Sequence, residues 1–419
     1  MTPAPYGVHS EVGALRSVIV HRPDLSLERL TPSNHHELLF DDVLWVEHAR
    51  KEHDAFVELL RGRGIEVHEH QQLLAEALEA DPRAKQDAVE RTVSHLTVGP
   101  VMVDDVRAEL ASWDGVRLAR HLIGGLTKEE LGSARGDAGS LVAVAARPTD
   151  FILPPLPNSL FQRDPAAWLY DGLCLNPLFW HARRLETVNQ ALIYRYHPMF
   201  ADAGIRFWYP PQGDDTRLDE EDFGRASVEG GDMMPIGRGT VAIGISERST
   251  AHMVEKLALT LFEGGGAERV IAVTIPPSRT YMHLDTVFTF LDVDKATAFM
   301  PVMEGATAYS LRPGDRTESL DVHPERSVFA AFEDALGISS LDVVPTGGDD
   351  VQQAREQYGS ANNFLALEPG VVVGYHRNQW TNARIAEHGV EVLEIEGFEL
   401  GKGRGGARCM TCPTRRDGI

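Results

Sequence analysis

One local pattern recurs along this chain: two short apolar strands in tandem, an amphipathic helix, then a further strand. The clearest copy is DMMPIGRGTVAIGI, then STAHMVEKLALTLFEGG, then ERVIAVTI. A second reads LALEPGVVVGYHRN, TNARIAEHG and VEVLEIEG, and a third reads RDPAAWLYDGLCLNPL, ETVNQALIYRYHPMFADAG and IRFWYP. A fourth reads DTVFTFLDVDKATAFMPV, SVFAAFEDALGI and LDVVPTG, with a longer polar connection. LRSVIVHRP, HARKEHDAFVELLRGRG and IEVHEH make a looser fifth near the N-terminus. Separate small units leave strand edges open, so units in series must close on one another or expose edges that aggregate. The pattern predicts an α/β chain built as a pseudo-symmetric array of ββαβ-like modules, and a ring of five fits the count. The alternative on the same pattern is a doubly wound α/β sheet with hairpin insertions.

Between about His70 and Pro148 the strand alternation gives way to helical stretches, among them LLAEALEAD, AKQDAVERTVSHL, VDDVRAELASW and KEELGSARG. The expected organisation is therefore residues 1–70 as part of the first module, 71–148 as a helical insertion, and 149–419 as the remaining modules with the functional loops. No Rossmann fingerprint occurs, and the glycines between Gly401 and Gly406 do not open a helix within a βαβ unit, which disfavours a phosphate-binding reading.

The formal net charge of −22 argues against nucleic acid as partner, and it either attracts small cations or serves only solubility. Three cysteines, Cys174, Cys409 and Cys412, are too few for a disulfide framework. The opening residues lack a basic stretch followed by an apolar core, and no apolar run reaches the roughly 20 residues of a membrane span, so a cytoplasmic location without membrane association is expected.

Four polar clusters carry the candidate chemistry: FQRDP with Asp164, VEGGD with Glu229 and Asp232, MHLDT with His283 and Asp285, and GKGRGGARCMTCP with Cys409. Asp164, Glu229 and His283 each precede the first strand of a hairpin in a different module, so pseudo-symmetry would bring them to one end, and Cys409 follows the last module's final strand. Carboxylates beside a thiol suit a cationic substrate, since an anion would be repelled. The matching chemistry is attack of a thiolate on a guanidinium carbon held in plane by carboxylates, with a histidine moving protons. Asp285 falls on the same side as His283 if the segment is extended. Arg183, Arg248 and Arg404 are candidates to grip a carboxylate at the substrate's far end.

Each residue also has an ordinary reading. Carboxylates before hairpins form turns, a lone histidine is often a satisfied core residue, and Cys174 reads as a buried small hydrophobe. Cys409 and Cys412 form a CxxC, yet no second CxxC or ligand-spaced histidine accompanies it, so neither a metal nor a redox pair is expected.

The motifs LPNSLFQRDP, EGGDMMPIG, MHLDTVF and GRGGARCMTCP, with GVHSEVGALRSVIVHRP and LTPSNHHELLFDDVLWVEHA near the start, resemble the arginine deiminase family over nearly the whole chain. The resemblance implies a five-bladed α/β-propeller with a helical insertion. It also implies hydrolysis of L-arginine to L-citrulline and ammonia through a covalent amidino-cysteine intermediate, without metal or organic cofactor. By motif position Cys409 would be the nucleophile and His283 the general acid and base, with Glu229 beside it. Asp164 and Asp285 would bind the guanidinium. Asn158, Phe161, Arg183, Arg248 and Gly403 match positions holding the rest of arginine, and Arg404 matches a mobile gate. Dimers or tetramers occur in the family. Arg408 is a histidine in some relatives, and a permanent cation there is expected to favour the thiolate. The alternatives are a dimethylarginine hydrolase, an amidinotransferase, a catalytically silent arginine-binding or sensing protein, or a redox protein built on Cys409 and Cys412.

Overall fold

The computed structural model describes residues 6–134, 139–211, 226–316 and 318–419. Buried strands and capped helices alternate as the sequence pattern requires. Thr240–Ile245 is inaccessible along nearly its whole length, as a strand covered on both faces must be. The helix that follows, Ala251–Glu263, starts where the Thr250 side chain accepts from the Met253 amide, and it buries Met253, Val254, Leu257, Ala258 and Leu261 along one face. Arg269–Thr274 then returns parallel to Thr240–Ile245, whose other neighbour is the antiparallel Met233–Gly237.

The same order of hairpin, helix and parallel strand holds in three further places. One comprises Ala166–Leu169, Gly172–Leu175, Arg184–Tyr196 and Arg206–Tyr209. Another comprises Phe288–Asp292, Lys295–Ala298, Val328–Leu336 and Asp342–Pro345. A third comprises Leu365–Glu368, Val371–Tyr375, Gln379–Glu387 and Glu391–Ile395. The loose N-terminal copy is completed by the other end of the chain. Cys412–Arg416 lies antiparallel to Leu15–Val20, the helix Val46–Gly62 follows, and Glu66–Glu69 pairs parallel with Leu15–Val20. Gly7–Val8 adds to the outer edge of Cys412–Arg416.

Among the described residues the strands form five separate sheets of three to five strands and one two-stranded pair; no sheet closes on itself. One continuous doubly wound sheet is thereby excluded. The polar connection in the fourth module is more than a loop: Thr307–Pro313 and Leu320–Pro324 form a hairpin that extends the neighbouring sheet through Arg269–Thr274. Its alternating exposure, rather than a continuous apolar run, hid it from a reading tuned to buried strands.

Helices His70–Ala80, Pro82–Thr92, Val103–Ala111 and Gly115–Gly124 share one core through Leu74, Leu78, Val89, Leu110 and Leu122. The last of the four was not anticipated. Lys128–Ala134, expected as α-helix, is 3₁₀ with a break at Gly132, whose φ of 58° interrupts any continuous helix, and residues 135 and 136 of that stretch lie outside the described residues. No helix among the described residues is long and apolar enough to cross a membrane.

Candidate active site

Three short turns, two of them 3₁₀, each lead into a hairpin and aim the polar clusters at one place. Asp164 precedes Ala166–Leu169, Glu229 leads into the turn Gly230–Asp232, and His283 leads into the turn Leu284–Thr286. Cys409 lies between the turn Leu400–Gly403 and the strand Cys412–Arg416. The segment carrying His283 and Asp285 is not extended: the His283 carbonyl accepts from the Thr286 amide at 3.1 Å, and this turn brings Asp285 to the thiol. The Cys409 Sγ lies 3.7 Å from Asp285 Oδ2.

These loops surround a tight cavity of only about 10 Å³, lined by Asn158, Phe161, Asp164, Arg183, Arg248, His283, Gly403, Arg404 and Cys409. Leu39, Met282, Thr286 and Gly405 also line it and went unnoticed in the sequence, because nothing in their residue types marks them. Glu229 and Asp285 stand behind the lining. Asn363 was missed too; its side chain accepts from the Cys409 amide at 3.1 Å and donates to the Asp285 carbonyl at 3.0 Å, fixing nucleophile and acid relative to each other.

His283 Nε2 lies 2.7 Å from Glu229 Oε2, and its Nδ1 lies 3.8 Å from Asp164 Oδ1. Burial works against the imidazolium, but Asp164 and Glu229, with Asp232 further off, outweigh it and raise its pKa to about 9. The Glu229 carboxyl is held well below the usual carboxylate range: burial opposes this, and Arg248, His283 and Arg183 overcome it. Arg183 donates through Nη1 to Asp164 at 2.8 Å and to Glu229 at 3.4 Å, and through Nε and Nη2 to Glu186. Arg248 Nη1 reaches Glu229 at 3.4 Å. Two arginines and one imidazolium thus face three carboxyl groups in a buried site, where loss of the cation with most contacts costs most.

Two expectations follow. Arg183→Met leaves Asp164, Glu186 and Glu229 short of a cation, and should lower unfolding free energy by about 3–5 kcal/mol in denaturant titrations. The His283 ring should remain protonated at pH 8 in an NMR titration; a midpoint near the ordinary histidine value would contradict the assigned geometry. A raised folded-state value means that the stabilisation from this imidazolium is complete below pH 6.5 and lost as pH rises through about 9.

Cys409 is only 4% exposed. Burial pushes its thiol up, and Asp285 and Asp164 push it further. Arg408 pulls the other way and favours the thiolate, as expected, but burial and the two carboxylates outweigh it. It donates to Asp285 Oδ2 at 2.7 Å, to both oxygens of Glu11 at 3.0 and 3.1 Å, and to the Met233 carbonyl at 2.8 Å. Asp285 Oδ1 is buried with no hydrogen-bond partner among the described residues.

The remaining sequence candidates take supporting places. Phe161 packs beneath the glycine-rich loop, where a Cβ at Gly405 would run into its ring, so only glycine fits there. Gly403 packs against Phe161 and Phe40 in the same way. Asn158 donates to the Leu38 carbonyl. Arg404, in a left-handed conformation with φ 70°, lays its guanidinium 3.4 Å from the Tyr358 ring centre and donates to the Thr280 carbonyl. Asp232 accepts from Ser246, Ser249 and the Leu284 amide, so it ties loops together. Cys412 is a free thiol directed at the Ala166 carbonyl. Asp164, Glu229 and His283 offer atoms close enough to surround a cation, but their contacts with Arg183 and Arg248 and the strong proton affinity of the ring fit proton handling better than metal ligation.

Solved structures of similar architecture include an amidinotransferase of the saxitoxin pathway from Microseira wollei, with a TM-score of 0.56 at 14% identity over 99% of this chain and 98% of that one. The inosamine-phosphate amidinotransferase of Streptomyces griseus gives 0.54 at 12% identity, over 99% and 98%. A mutant of dimethylarginine dimethylaminohydrolase (DDAH) from Pseudomonas aeruginosa, complexed with citrulline, gives 0.50 at 15% identity, over 95% and 99%. The fold is that of the penteins, propeller-like α/β enzymes. Within that class, the arginine deiminase profile matches residues 36–416, and the chain belongs to the arginine deiminase family.

Proposed function

We propose that this protein hydrolyses L-arginine to L-citrulline and ammonia, with Cys409 as nucleophile and His283 as general acid and base. The observation that carries the reading is Asp285: one oxygen serves Arg408 and the thiol, and the other is buried with no partner among the described residues. A planar cation donating N–H groups to that oxygen and to Asp164 would satisfy it, and would lie against the sulfur.

The same cation supplies what the resting thiol lacks. The positive guanidinium between Asp164 and Asp285 offsets the carboxylates that disfavour thiolate, so the nucleophile forms as substrate binds. Sulfur attacks the guanidinium carbon, and the His283 imidazolium protonates a terminal nitrogen, which leaves as ammonia. The result is an amidino thioether that still carries the rest of the arginine chain. Neutral His283 then takes a proton from water, the hydroxyl adds to the same carbon, and the C–S bond breaks. Citrulline departs, and the proton released with it accompanies ammonia as ammonium. Glu229 keeps the ring oriented and its charged form stable.

Arg248 and Arg183, with Asn158, Phe161 and Gly403, would hold the remainder of the substrate, and Arg404 would gate the cavity. Arg183 is already committed to three carboxylates, so Arg248 is the stronger candidate for the substrate carboxylate. The same reading takes the modules as five blades of a pseudo-symmetric propeller, with residues 71–148 inserted between 1–70 and 149–419, in a cytoplasmic dimer or tetramer. Meeting of loops from different modules at Cys409 supports it.

The test is product analysis. Incubation with arginine should give citrulline and ammonia in equal amounts; release of ornithine, or turnover confined to methylated arginine, would assign the chain to another guanidine chemistry.

A further inference from the structure

Behind the cavity, three arginines are buried together: Arg163, Arg408 and Arg416. Among the described residues Arg163 hydrogen-bonds only neutral groups, the Arg408 carbonyl and the Thr411 hydroxyl, and Arg416 donates to the carbonyls of Gly13 and Ala366. Burial and the mutual repulsion of these cations lower the pKa of Arg163 to about 10 and of Arg416 to about 9, each partly restored by Glu11. Glu11 is thus the carboxylate shared by all three, and it grips Arg408 with both oxygens. It lies upstream of the family match at residues 36–416 and does not line the cavity.

The consequence is felt at Asp285. Arg408 has a planar fork able to take both oxygens of a carboxylate, yet it contacts only Oδ2 of Asp285, because its Nε and Nη2 are turned toward Glu11. We propose that Glu11 is a positioning residue for the reaction at Cys409, drawing Arg408 back so that Asp285 keeps one oxygen free for the substrate guanidinium. This inference rests on the arginine-hydrolase reading. Without the Glu11 charge, Arg408 would compete with substrate for Asp285. The cluster would also bear more strongly on the thiol, against burial, Asp285 and Asp164.

The experiment compares the full chain with Glu11→Gln, Glu11→Asp, Arg408→Gln and the double variant Glu11→Gln/Arg408→Gln. Glu11→Gln should raise KM for arginine by about tenfold or more, with a much smaller change in kcat, and should speed iodoacetamide alkylation of Cys409 at neutral pH. Adding Glu11→Gln to Arg408→Gln should raise KM little, because the competing cation is already gone. Glu11→Asp, too short to hold Nε and Nη2 together, should fall between, and it carries the test if Glu11→Gln does not fold. An unchanged KM in both single Glu11 variants, or an equal rise in the Arg408→Gln background, overturns the proposal. If the unaltered protein makes no citrulline, the hydrolase reading fails on its own, and alkylation still decides: no acceleration in Glu11→Gln refutes the electrostatic role.

Discussion

Cys409→Ala is expected to abolish citrulline formation, a fall of about four powers of ten or more, while arginine still binds. The two outcomes separate because the thiol supplies the bond and the carboxylates supply the affinity. Asp164 keeps its contacts with Arg183 and the Gly231 amide, and Asp285 keeps Arg408; none of these passes through the sulfur. Removing the thiol also removes a group whose ionisation the site resists, so calorimetric affinity should be equal to or tighter than that of the unaltered chain. Measurable turnover by purified Cys409→Ala would remove the sulfur from the mechanism.

His283→Ala should slow turnover by about two or more powers of ten, mainly in kcat. Two proton transfers are lost at once: protonation of departing ammonia and activation of water. The buried Glu229 loses its 2.7 Å partner but keeps Arg183 and Arg248, so folding should survive. In the unaltered chain, turnover of bound substrate should decline as pH rises through about 9, because the group required as acid in the first step loses its proton there. That decline should be absent from the residual activity of His283→Ala. Retention of the same alkaline limb would assign it to another group.

Much of this site was legible because its acids, imidazole and thiol stand at equivalent places in repeated units: Asp164, Glu229 and His283 each precede a hairpin, and strand periodicity alone locates hairpins. The N-terminal module looked incomplete since its missing strand, Cys412–Arg416, lies at the far end of the chain, a long-range pairing that no local pattern encodes. The same distance concealed Glu11 and Asn363, whose importance comes entirely from what they touch. Asp285 was singled out through an extended segment, and it reaches the thiol through a 3₁₀ turn instead. Arg408 stands next to Cys409 in sequence and does favour its thiolate, but nothing local shows that its guanidinium also binds Glu11 and Asp285.

The most direct test of the central claim is mass spectrometry of the protein quenched in acid during turnover of arginine. The account predicts an adduct on the peptide bearing Cys409 with the mass of arginine less one ammonia, since the carbon chain stays attached until water arrives. An adduct of the amidino group alone would mean that ornithine leaves first, as in group transfer, and an adduct on any other residue, or none under single-turnover quench, would contradict attack by this sulfur.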